Sequence, residues 1–170
     1  ARAQNAGIKT RIHGDFHLGQ LLVVQNDITI IDFEGEPARA LNERRRKSSP
    51  LRDVAGILRS FDYAAAAVVQ NRPAASPKLN EKQLALLDRF TGAAIAGFQR
   101  AYREVLDQAA HPWASLDADN PLLRLFLIEK AGYEICYEAA NRPAWLAFPL
   151  HGFAGLLERK AEKTLEPHHA

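Results

Sequence analysis

Two short segments of the sequence carry residues whose chemical types and spacing suit phosphoryl transfer. The first, His13 to Gln20, reads HGDFHLGQ, and the second, Ile31 to Gly35, reads IDFEG. Phosphoryl transfer needs a positioned carboxylate at the acceptor hydroxyl and a separate set of oxygen ligands for Mg²⁺. An H-x-D segment, a following amide residue, a hairpin and then D-F is the order of these groups in kinase-like phosphotransferases. The pattern predicts that both segments belong to one phosphotransferase site.

The acidic and amide residues of these segments have distinct expected roles. Asp15 is the predicted catalytic base, which orients the acceptor hydroxyl and takes its proton late in the reaction. Asp32 is the predicted principal Mg²⁺ ligand, and Gln20 is a second ligand through its side-chain carbonyl oxygen. Glu34 is a further candidate metal ligand, although a position facing solvent is equally compatible with the sequence.

Two histidines and a later aspartate are expected to support this chemistry. His13 is predicted to pack beneath the loop and to hydrogen-bond backbone. His17 is a candidate ligand for a substrate hydroxyl, and an ordinary buried or exposed histidine is the alternative. Asp53 opens the first long predicted helix, where it either favours the helix dipole or hydrogen-bonds the backbone of the catalytic loop.

A metal-dependent hydrolase is the alternative enzyme class for the same residues. His13, Asp15, His17 and Asp32 have side chains that ligate Zn²⁺ or Mn²⁺. Such clusters usually draw further histidines from later segments, and the later histidines of this chain lie in sequences without a ligand pattern. The kinase-like interpretation is therefore favoured.

A polar stripe is predicted on the third long helix. At about 100° per residue, one arc of this helix carries Lys130, Tyr133, Glu134, Tyr137 and Asn141. Such a stripe is usually an exposed face. Aromatic rings beside charged groups also suit a sugar, because C–H faces stack on rings while hydroxyls need donors and acceptors. The first four of these residues are therefore candidate sugar-binding residues.

A hairpin and four helices are predicted to position these residues. Runs rich in β-branched residues at 21–24 and 28–31 flank a turn-type tripeptide, which predicts a hairpin that returns Asp32 to the side of Gln20. Residues 35–49 are predicted to form a surface loop. Helices are predicted over about 50–69, 80–106, 120–140 and 144–163, the last kinked at Pro149, with loops at 71–77 and 111–119. The expected fold class is α+β, mainly α-helical.

The bulk composition is that of a globular protein. The chain has 170 residues, of which 47% are hydrophobic and 25% charged, and no apolar run approaches the length of a membrane span. A single cysteine, Cys136, excludes an internal disulfide, so a reducing, cytoplasmic location is expected. The basic run Arg44 to Lys47 has no interleaved aromatic residues. A local anion-binding or structural role is therefore favoured over nucleic-acid binding.

Longer motifs resemble a known family. Together with the two segments above, they resemble the C-terminal part of bacterial maltokinases, including the form fused to trehalose synthase, within the wider aminoglycoside-phosphotransferase-like and protein-kinase-like superfamily. The motifs are IDFEGEP at 31–37, RRRKSSPLRDVAG at 44–56, LRSFDYAA at 58–65 and EKAGYEICYEAANRPAWLAFPL at 129–150.

The resemblance implies the C-terminal lobe of a protein-kinase-like fold over residues 1–170. The catalytic and metal-binding loops and the hairpin would occupy 1–35, and a helical body 36–170. It implies ATP-dependent phosphorylation of maltose to maltose 1-phosphate with Mg²⁺ as cofactor. Asp15 would be the base, Gln20 and Asp32 the metal ligands, and the stripe part of the sugar pocket.

The resemblance also implies partners for this chain. In such enzymes an N-terminal lobe supplies the phosphate-binding lysine and the adenine-gripping hinge, and no segment of this chain replaces them. The expected partners are that lobe of the same enzyme and, in the fused form, a trehalose synthase domain. The chain by itself is expected to be weakly active or inactive.

Two further interpretations stay open at the level of sequence. The acceptor could be an aminoglycoside or another small alcohol, although the stripe lacks the acidic cluster that a polycationic antibiotic requires. A non-catalytic carbohydrate-binding or interface module within a trehalose synthase fusion is the alternative that is not an enzyme.

Overall fold

A computed structural model describes residues 9–73, 75–108 and 120–165 of the chain, the last eight of these as backbone only. The predicted loop at 111–119 lies outside the described residues. The described elements are a hairpin of β1 (Leu21–Val24) and β2 (Asp27–Ile30), followed by α1 (Leu41–Arg44), α2 (Leu51–Gln70), α3 (Glu81–Gln108), α4 (Pro121–Asn141) and α5 (Ala147–Leu165). The predicted fold class, α+β and mainly α-helical, is confirmed.

The hairpin forms around a two-residue turn rather than the predicted tripeptide. Gln25 and Asn26 have φ values of 49° and 65°, and Asp27 already belongs to β2. Two consecutive positive φ values define a type I′ turn, whose twist matches that of the strands it joins. The apolar side chains of both strands are largely exposed, namely those of Leu22, Val23, Val24, Ile28 and Ile30.

The register of the hairpin places the two predicted metal ligands side by side. The antiparallel ladder pairs the first residue of β1 with the last of β2. One further backbone hydrogen bond follows, in which the N–H of Ile31 donates to the carbonyl oxygen of Gln20 at 3.0 Å. Gln20 therefore lies opposite Ile31 and next to Asp32.

The predicted caps are present at the start of α3 and α4, whereas the N-cap of α2 is Pro50, one residue after the predicted Ser49. The hydroxyl of Ser49 accepts a hydrogen bond from the N–H of Leu51 at 3.3 Å. The side chains of Asn80 and Gln83 bond reciprocally to each other's backbone N–H groups at 3.0 Å, as in a capping box. Asn120 accepts hydrogen bonds from two N–H groups in the first turn of α4. Local sequence thus sets where these helices begin.

Two details of the predicted elements are wrong. The segment 35–49 is not wholly a loop, because it contains the single-turn helix α1. The last helix is not kinked at Pro149. A 3₁₀ turn at Pro143–Trp145 precedes it, and α5 starts only at Ala147, so the proline lies in the first helical turn. A missing N–H has no helical partner to lose at that position.

The hydrophobic core is built around α2. This helix packs against α3, α4 and α5. The buried cluster consists of Leu51, Val54, Ala55 and Leu58 from α2 and Leu123 from α4, with Ile95, Phe98 and Tyr102 of α3 packed against it. Within the described residues, none of the helices combines the length and apolarity needed to cross a membrane.

The same helix carries the His13–Gln20 loop on another face. Gly56 lies so close to the loop that a Cβ at this position would collide with the carbonyl oxygen of Phe16. Two residues further along the loop, the N–H of Leu18 donates to the hydroxyl of Ser60 at 3.1 Å. The position of the loop is therefore fixed by a close backbone approach that only glycine permits.

Substitution of Gly56 tests this close approach. Gly56→Ala is expected to lower the free energy of unfolding by about 1–3 kcal/mol, because the added methyl group forces the loop and the helix apart. Gly92→Ala on α3 is the matched control, since a Cβ there meets no atom within 4 Å. The free energy of unfolding of Gly92→Ala should rise by up to about 1 kcal/mol, because alanine has a higher helix propensity than glycine. Urea denaturation of both variants checks the prediction, and equal effects would contradict it.

Candidate active site

The His13–Gln20 loop is tied to α2 by one carboxylate. Oδ2 of Asp53 accepts a hydrogen bond from the N–H of His13 at 2.7 Å, and Oδ1 accepts one from the N–H of Gly14 at 2.9 Å. Hydrogen bonding to the backbone of this loop is one of the two roles expected for Asp53, the other being an interaction with the helix dipole. Burial raises the pKa of this carboxyl above its ordinary value, and the two N–H donors offset part of that rise. The loop therefore starts from a fixed backbone position.

His13 links the loop to the segment after the hairpin. Its side chain is buried, with Nε2 at 2.8 Å from the carbonyl oxygen of Ile31, and Nδ1 accepts a hydrogen bond from the N–H of Asp15 at 3.4 Å. The ring packs between Phe16 and Phe33, with centroids at 5.5 and 4.9 Å. Both ring nitrogens thus contact backbone, as expected for a structural histidine.

These contacts bear on the hydrolase alternative. A histidine that ligates a metal needs one ring nitrogen free to point at the ion. Both nitrogens of His13 are engaged by the protein. Among the described residues, moreover, no group of three or more His, Cys, Asp or Glu side chains is arranged to hold a metal ion. The four-residue Zn²⁺ or Mn²⁺ set is therefore not assembled in this geometry.

A cleft beside Asp15 brings this residue together with Lys130 and Tyr133 of the predicted stripe. Nζ of Lys130 lies 3.6 Å from Oδ1 of Asp15 and 3.9 Å from Oε2 of Glu36. The hydroxyl of Tyr133 donates to Oε1 of Glu36 at 3.0 Å, and Arg52 lines the same cleft. The side chains of Asp15 and Glu36 are only 17% and 14% exposed. The ammonium group thus bridges two partly buried carboxylates.

Tyr133 remains a neutral donor in this cleft. Its pKa is raised to about 12, first by burial and then by the hydrogen bond and charge of Glu36, with a further contribution from the charge of Asp15. The ring of Tyr137 stacks on that of Tyr133 with centroids 6.3 Å apart, and its side chain is largely exposed. Two adjacent aromatic faces therefore extend from the cleft along α4.

A chain of polar contacts joins Asp15 to Asp32. Nε2 of His17 lies 3.8 Å from Oδ2 of Asp15 and 3.4 Å from Nε2 of Gln20. The same amide nitrogen of Gln20 donates to Oδ2 of Asp32 at 3.2 Å. Nδ1 of His17 accepts a hydrogen bond from the N–H of Gly19. Because Nδ1 accepts this hydrogen bond, Nε2 of a neutral His17 is a donor that faces the carboxylate of Asp15, and its contact with the amide nitrogen of Gln20, which is also a donor, is not a hydrogen bond.

Gln20 and Asp32 fit a Mg²⁺ site in their donor chemistry. Their side chains are in contact, both carry hard oxygen donors, and Asp32 is exposed, which leaves room for water and phosphate oxygens. The backbone of Asp32 adopts the left-handed conformation, with φ of 61°. A rotation of the terminal amide would turn the oxygen of Gln20 toward a cation. These two residues are the ones that would hold the ion.

Within the described residues, no hydrogen bond joins the side chain of Glu34 to Gln20 or Asp32. Its side chain is exposed, and its backbone carbonyl oxygen accepts a hydrogen bond from Arg44 at 3.3 Å. Its role as a metal ligand stays a prediction.

Glu134 does not reach the cleft, contrary to the exposed position expected from the stripe. Its Oε2 accepts hydrogen bonds from Nε and NH2 of Arg59 at 3.0 and 2.6 Å, and Asp62 accepts one from NH1 at 3.0 Å. Arg59 is 4% exposed and Glu134 is 8% exposed. Glu134 therefore faces α2, because a buried guanidinium there supplies its partner. Glu134 does not line the cleft, and its role as a sugar-binding residue stays a prediction.

The sequence interpretation missed several residues that line the cleft. Glu36 lies in the IDFEGEP motif, directly after Gly35 with φ of 78°, but no spacing rule marked it. Glu129 accepts hydrogen bonds from Arg52 at 2.7 and 2.9 Å and from Arg39 at 2.9 Å. Burial disfavours ionisation of Glu129, yet the hydrogen bonds from these two arginines prevail and hold its pKa below the ordinary value.

Comparison with known proteins points to sugar kinases. No protein-family model matches the chain. It is 29% identical over 153 residues to a glucosamine kinase of Streptacidiphilus jiangxiensis and 27% identical over 146 residues to a glucosamine kinase of Mycolicibacterium smegmatis. These alignments cover 88% and 86% of this chain, but 32% and 34% of those enzymes. The chain thus spans about a third of the length of the curated relatives it matches.

Solved structures give the same likeness. A glucosamine kinase in complex with glucosamine, ADP and inorganic phosphate aligns with a TM-score of 0.72 at 27% identity, over 90% of this chain and 36% of that one. A crystal form of glucosamine kinase aligns with a TM-score of 0.73, also at 27% identity, over 91% of this chain and 36% of that one. The described fold therefore resembles about a third of each of these glucosamine kinase structures.

The buried pair between α2 and α4 gives a stability prediction. Glu134→Ala leaves the charge of Arg59 without its main partner, so the free energy of unfolding should fall by about 3–5 kcal/mol. Glu129→Ala is the matched control on the same helix, because that carboxylate is 40% exposed and its ion pairs are screened by water. Glu129→Ala should therefore lower the free energy of unfolding by only about 0–1 kcal/mol. Chemical denaturation checks both values, and similar losses would contradict a structural role specific to Glu134.

Proposed function

We propose that this chain is the acceptor-binding and catalytic part of a sugar kinase, which transfers the γ-phosphoryl group of ATP to a sugar hydroxyl. The observation that carries the proposal is the continuous polar arrangement from Lys130 through Asp15, His17 and Gln20 to Asp32. In this proposal the carboxylate of Asp15 serves the acceptor, and the side-chain oxygens of Gln20 and Asp32 serve a cation. The likeness to glucosamine kinases over most of the chain supports it.

Asp15 has the central role in this mechanism. Its carboxylate accepts a hydrogen bond from the acceptor hydroxyl and so aims the oxygen at the γ-phosphorus. As the new P–O bond forms, the bond to the bridging oxygen breaks, that oxygen leaves with ADP, and the hydroxyl proton passes to Asp15. Lys130 stays beside both carboxylates throughout, so the charge of the cleft is partly neutralised before the proton moves.

Gln20 and Asp32 would hold Mg²⁺ at the other end of the arrangement. When bound, this ion partly neutralises the negative charge on the phosphate oxygens during transfer. His17 lies between the two ends, and its Nε2–H is a donor for either a sugar hydroxyl or a phosphate oxygen. Since the chain covers about a third of its relatives, we propose that the remainder of the whole protein supplies most of the nucleotide contacts.

The acceptor that we propose is maltose, with glucosamine as the second candidate. The maltokinase-like motifs favour maltose, and the stacked rings of Tyr133 and Tyr137 offer two adjacent faces for sugar rings. The names of the relatives favour glucosamine. Lys130 already pairs with Asp15 and Glu36, so the ammonium group of an amino sugar entering there would have to compete with Lys130 for the same two carboxylates. A neutral sugar meets no such competition.

Removal of the base tests the proposed mechanism. In the full gene product that contains this chain, Asp15→Asn should lower kcat about 10²–10⁴-fold with little change in KM for the sugar, because the amide cannot take the proton. Asp88→Asn on α3, an exposed position outside the cleft, is the control and should leave kcat unchanged. Coupled measurement of ADP release checks the result. Full activity of Asp15→Asn would overturn the assignment.

The acceptor is tested separately by comparing sugars. With ATP and Mg²⁺, the full gene product should phosphorylate maltose with at least tenfold higher kcat/KM than glucosamine, and mass spectrometry should identify a monophosphorylated disaccharide. The reverse preference would overturn maltose as the acceptor while leaving the sugar kinase assignment in place. Phosphorylation of neither sugar would count against the assignment itself.

A further inference from the structure

A basic groove opens beside the cleft and is not used by the proposed reaction. Its lining includes Gly14 and Gly35, whose backbones have positive φ values of 86° and 78°. Five of its lining side chains are cationic and two are acidic, namely Arg39, Arg44, Arg46, Lys47 and Arg52 against Glu36 and Glu43. The groove shares Glu36, Arg39 and Arg52 with the cleft, so the two are continuous.

The cations of the groove differ in how they are neutralised. Arg39 and Arg52 both pair with Glu129. By contrast, Arg44, Arg46 and Lys47 form no ion pair with any carboxylate that the structure describes. Positive charge therefore accumulates on the side of the groove formed by residues 44–47.

Arg44 has an unmet donor at this groove. One end of its guanidinium donates to the carbonyl oxygen of Glu34 at 3.3 Å. Its Nε–H is shielded from solvent and has no acceptor within the described residues. A shielded donor without a partner is costly, and no carboxylate among the described residues offsets that cost.

The basic segment is held by backbone hydrogen bonds. The N–H and carbonyl of Ser48 pair with those of Thr10 in both directions at 2.9 Å, and the N–H of Arg44 donates to Ala40 at 3.1 Å. The cations between these two anchors are therefore presented by an ordered backbone at the edge of the groove. This reduces the entropic cost of gathering them around a ligand.

We propose that this groove binds the phosphate group of a small phosphomonoester, at a site separate from that of the nucleotide. A phosphate offers several strong acceptor oxygens and about two negative charges, which suit guanidinium and ammonium donors that lack carboxylate partners. Neither Gln20 nor Asp32 lines the groove. Because the groove continues into the cleft, a ligand held there lies beside the acceptor site. The proposal does not depend on the identity of the sugar.

The test uses two arginines that are adjacent in sequence but differ in position. Inorganic phosphate, titrated by isothermal calorimetry into the full gene product, should bind saturably at one site outside the nucleotide site. Arg46→Gln removes a groove cation and should weaken this binding about tenfold or more. Arg45→Gln makes the same change in net charge at an exposed residue that does not line the groove, so it should change the affinity less than twofold.

Two outcomes would overturn the proposal. Equal weakening by Arg45→Gln and Arg46→Gln would mean that phosphate senses only the overall charge of the basic run. Displacement of phosphate by MgADP, or binding that requires MgADP, would place the phosphate in the nucleotide site instead. Lys47→Gln provides a second groove variant and should also weaken binding, so a folding defect in one variant does not decide the result. Thermal unfolding of each variant identifies such a defect.

Discussion

Two hydrogen bonds to one carboxylate hold the start of the candidate catalytic loop in place. Asp53 accepts the N–H groups of His13 and Gly14, so the loop begins at a fixed point on the first turn of α2. From that point the ring of His13 reaches the carbonyl of Ile31, just before Asp32. The attachment of this loop to α2 therefore orients both predicted functional aspartates, Asp15 and Asp32, although they lie in different segments.

The helix that provides this attachment is surrounded on several sides. Gly56 allows the loop to approach one face, apolar residues fill the core, and Arg59 forms a buried ion pair with Glu134. Removing both charges from water is expensive, so such a pair adds little net stability over an apolar pair of similar size. It does, however, require one particular alignment of α2 with α4. The same alignment places Lys130, one helical turn before Glu134, beside Asp15.

The features that the sequence allowed us to predict are local ones. The hairpin and the caps at Asn80 and Asn120 follow from residues close to one another in the chain. The buried position of Glu134 could not be predicted in this way, because its partner Arg59 lies 75 residues earlier in the sequence. Periodicity placed Glu134 on a polar arc with Lys130, but helical spacing alone does not show which polar residues find buried partners.

The cleft illustrates the same limit. Glu36 meets Tyr133 across 97 residues, and Glu129 gathers Arg39 and Arg52 from two other segments. Each of these residues is an ordinary surface type in its own segment, so only the packing of the helices reveals the group. Asp15 was singled out because its neighbours in sequence form a motif. Its ion pair with Lys130 could not be predicted in that way.

The hairpin has a consequence for how this protein tolerates changes in length. Gln20 and Asp32 stand at the open end of the ribbon, and the ladder between them is counted from that end. A residue inserted within either arm would shift the count by one and swing a ligand to the opposite side. Extra residues at the Gln25–Asn26 tip would leave the count unchanged. The tip is therefore where a tag, a probe or an evolutionary insertion can be accommodated without separating the two ligands.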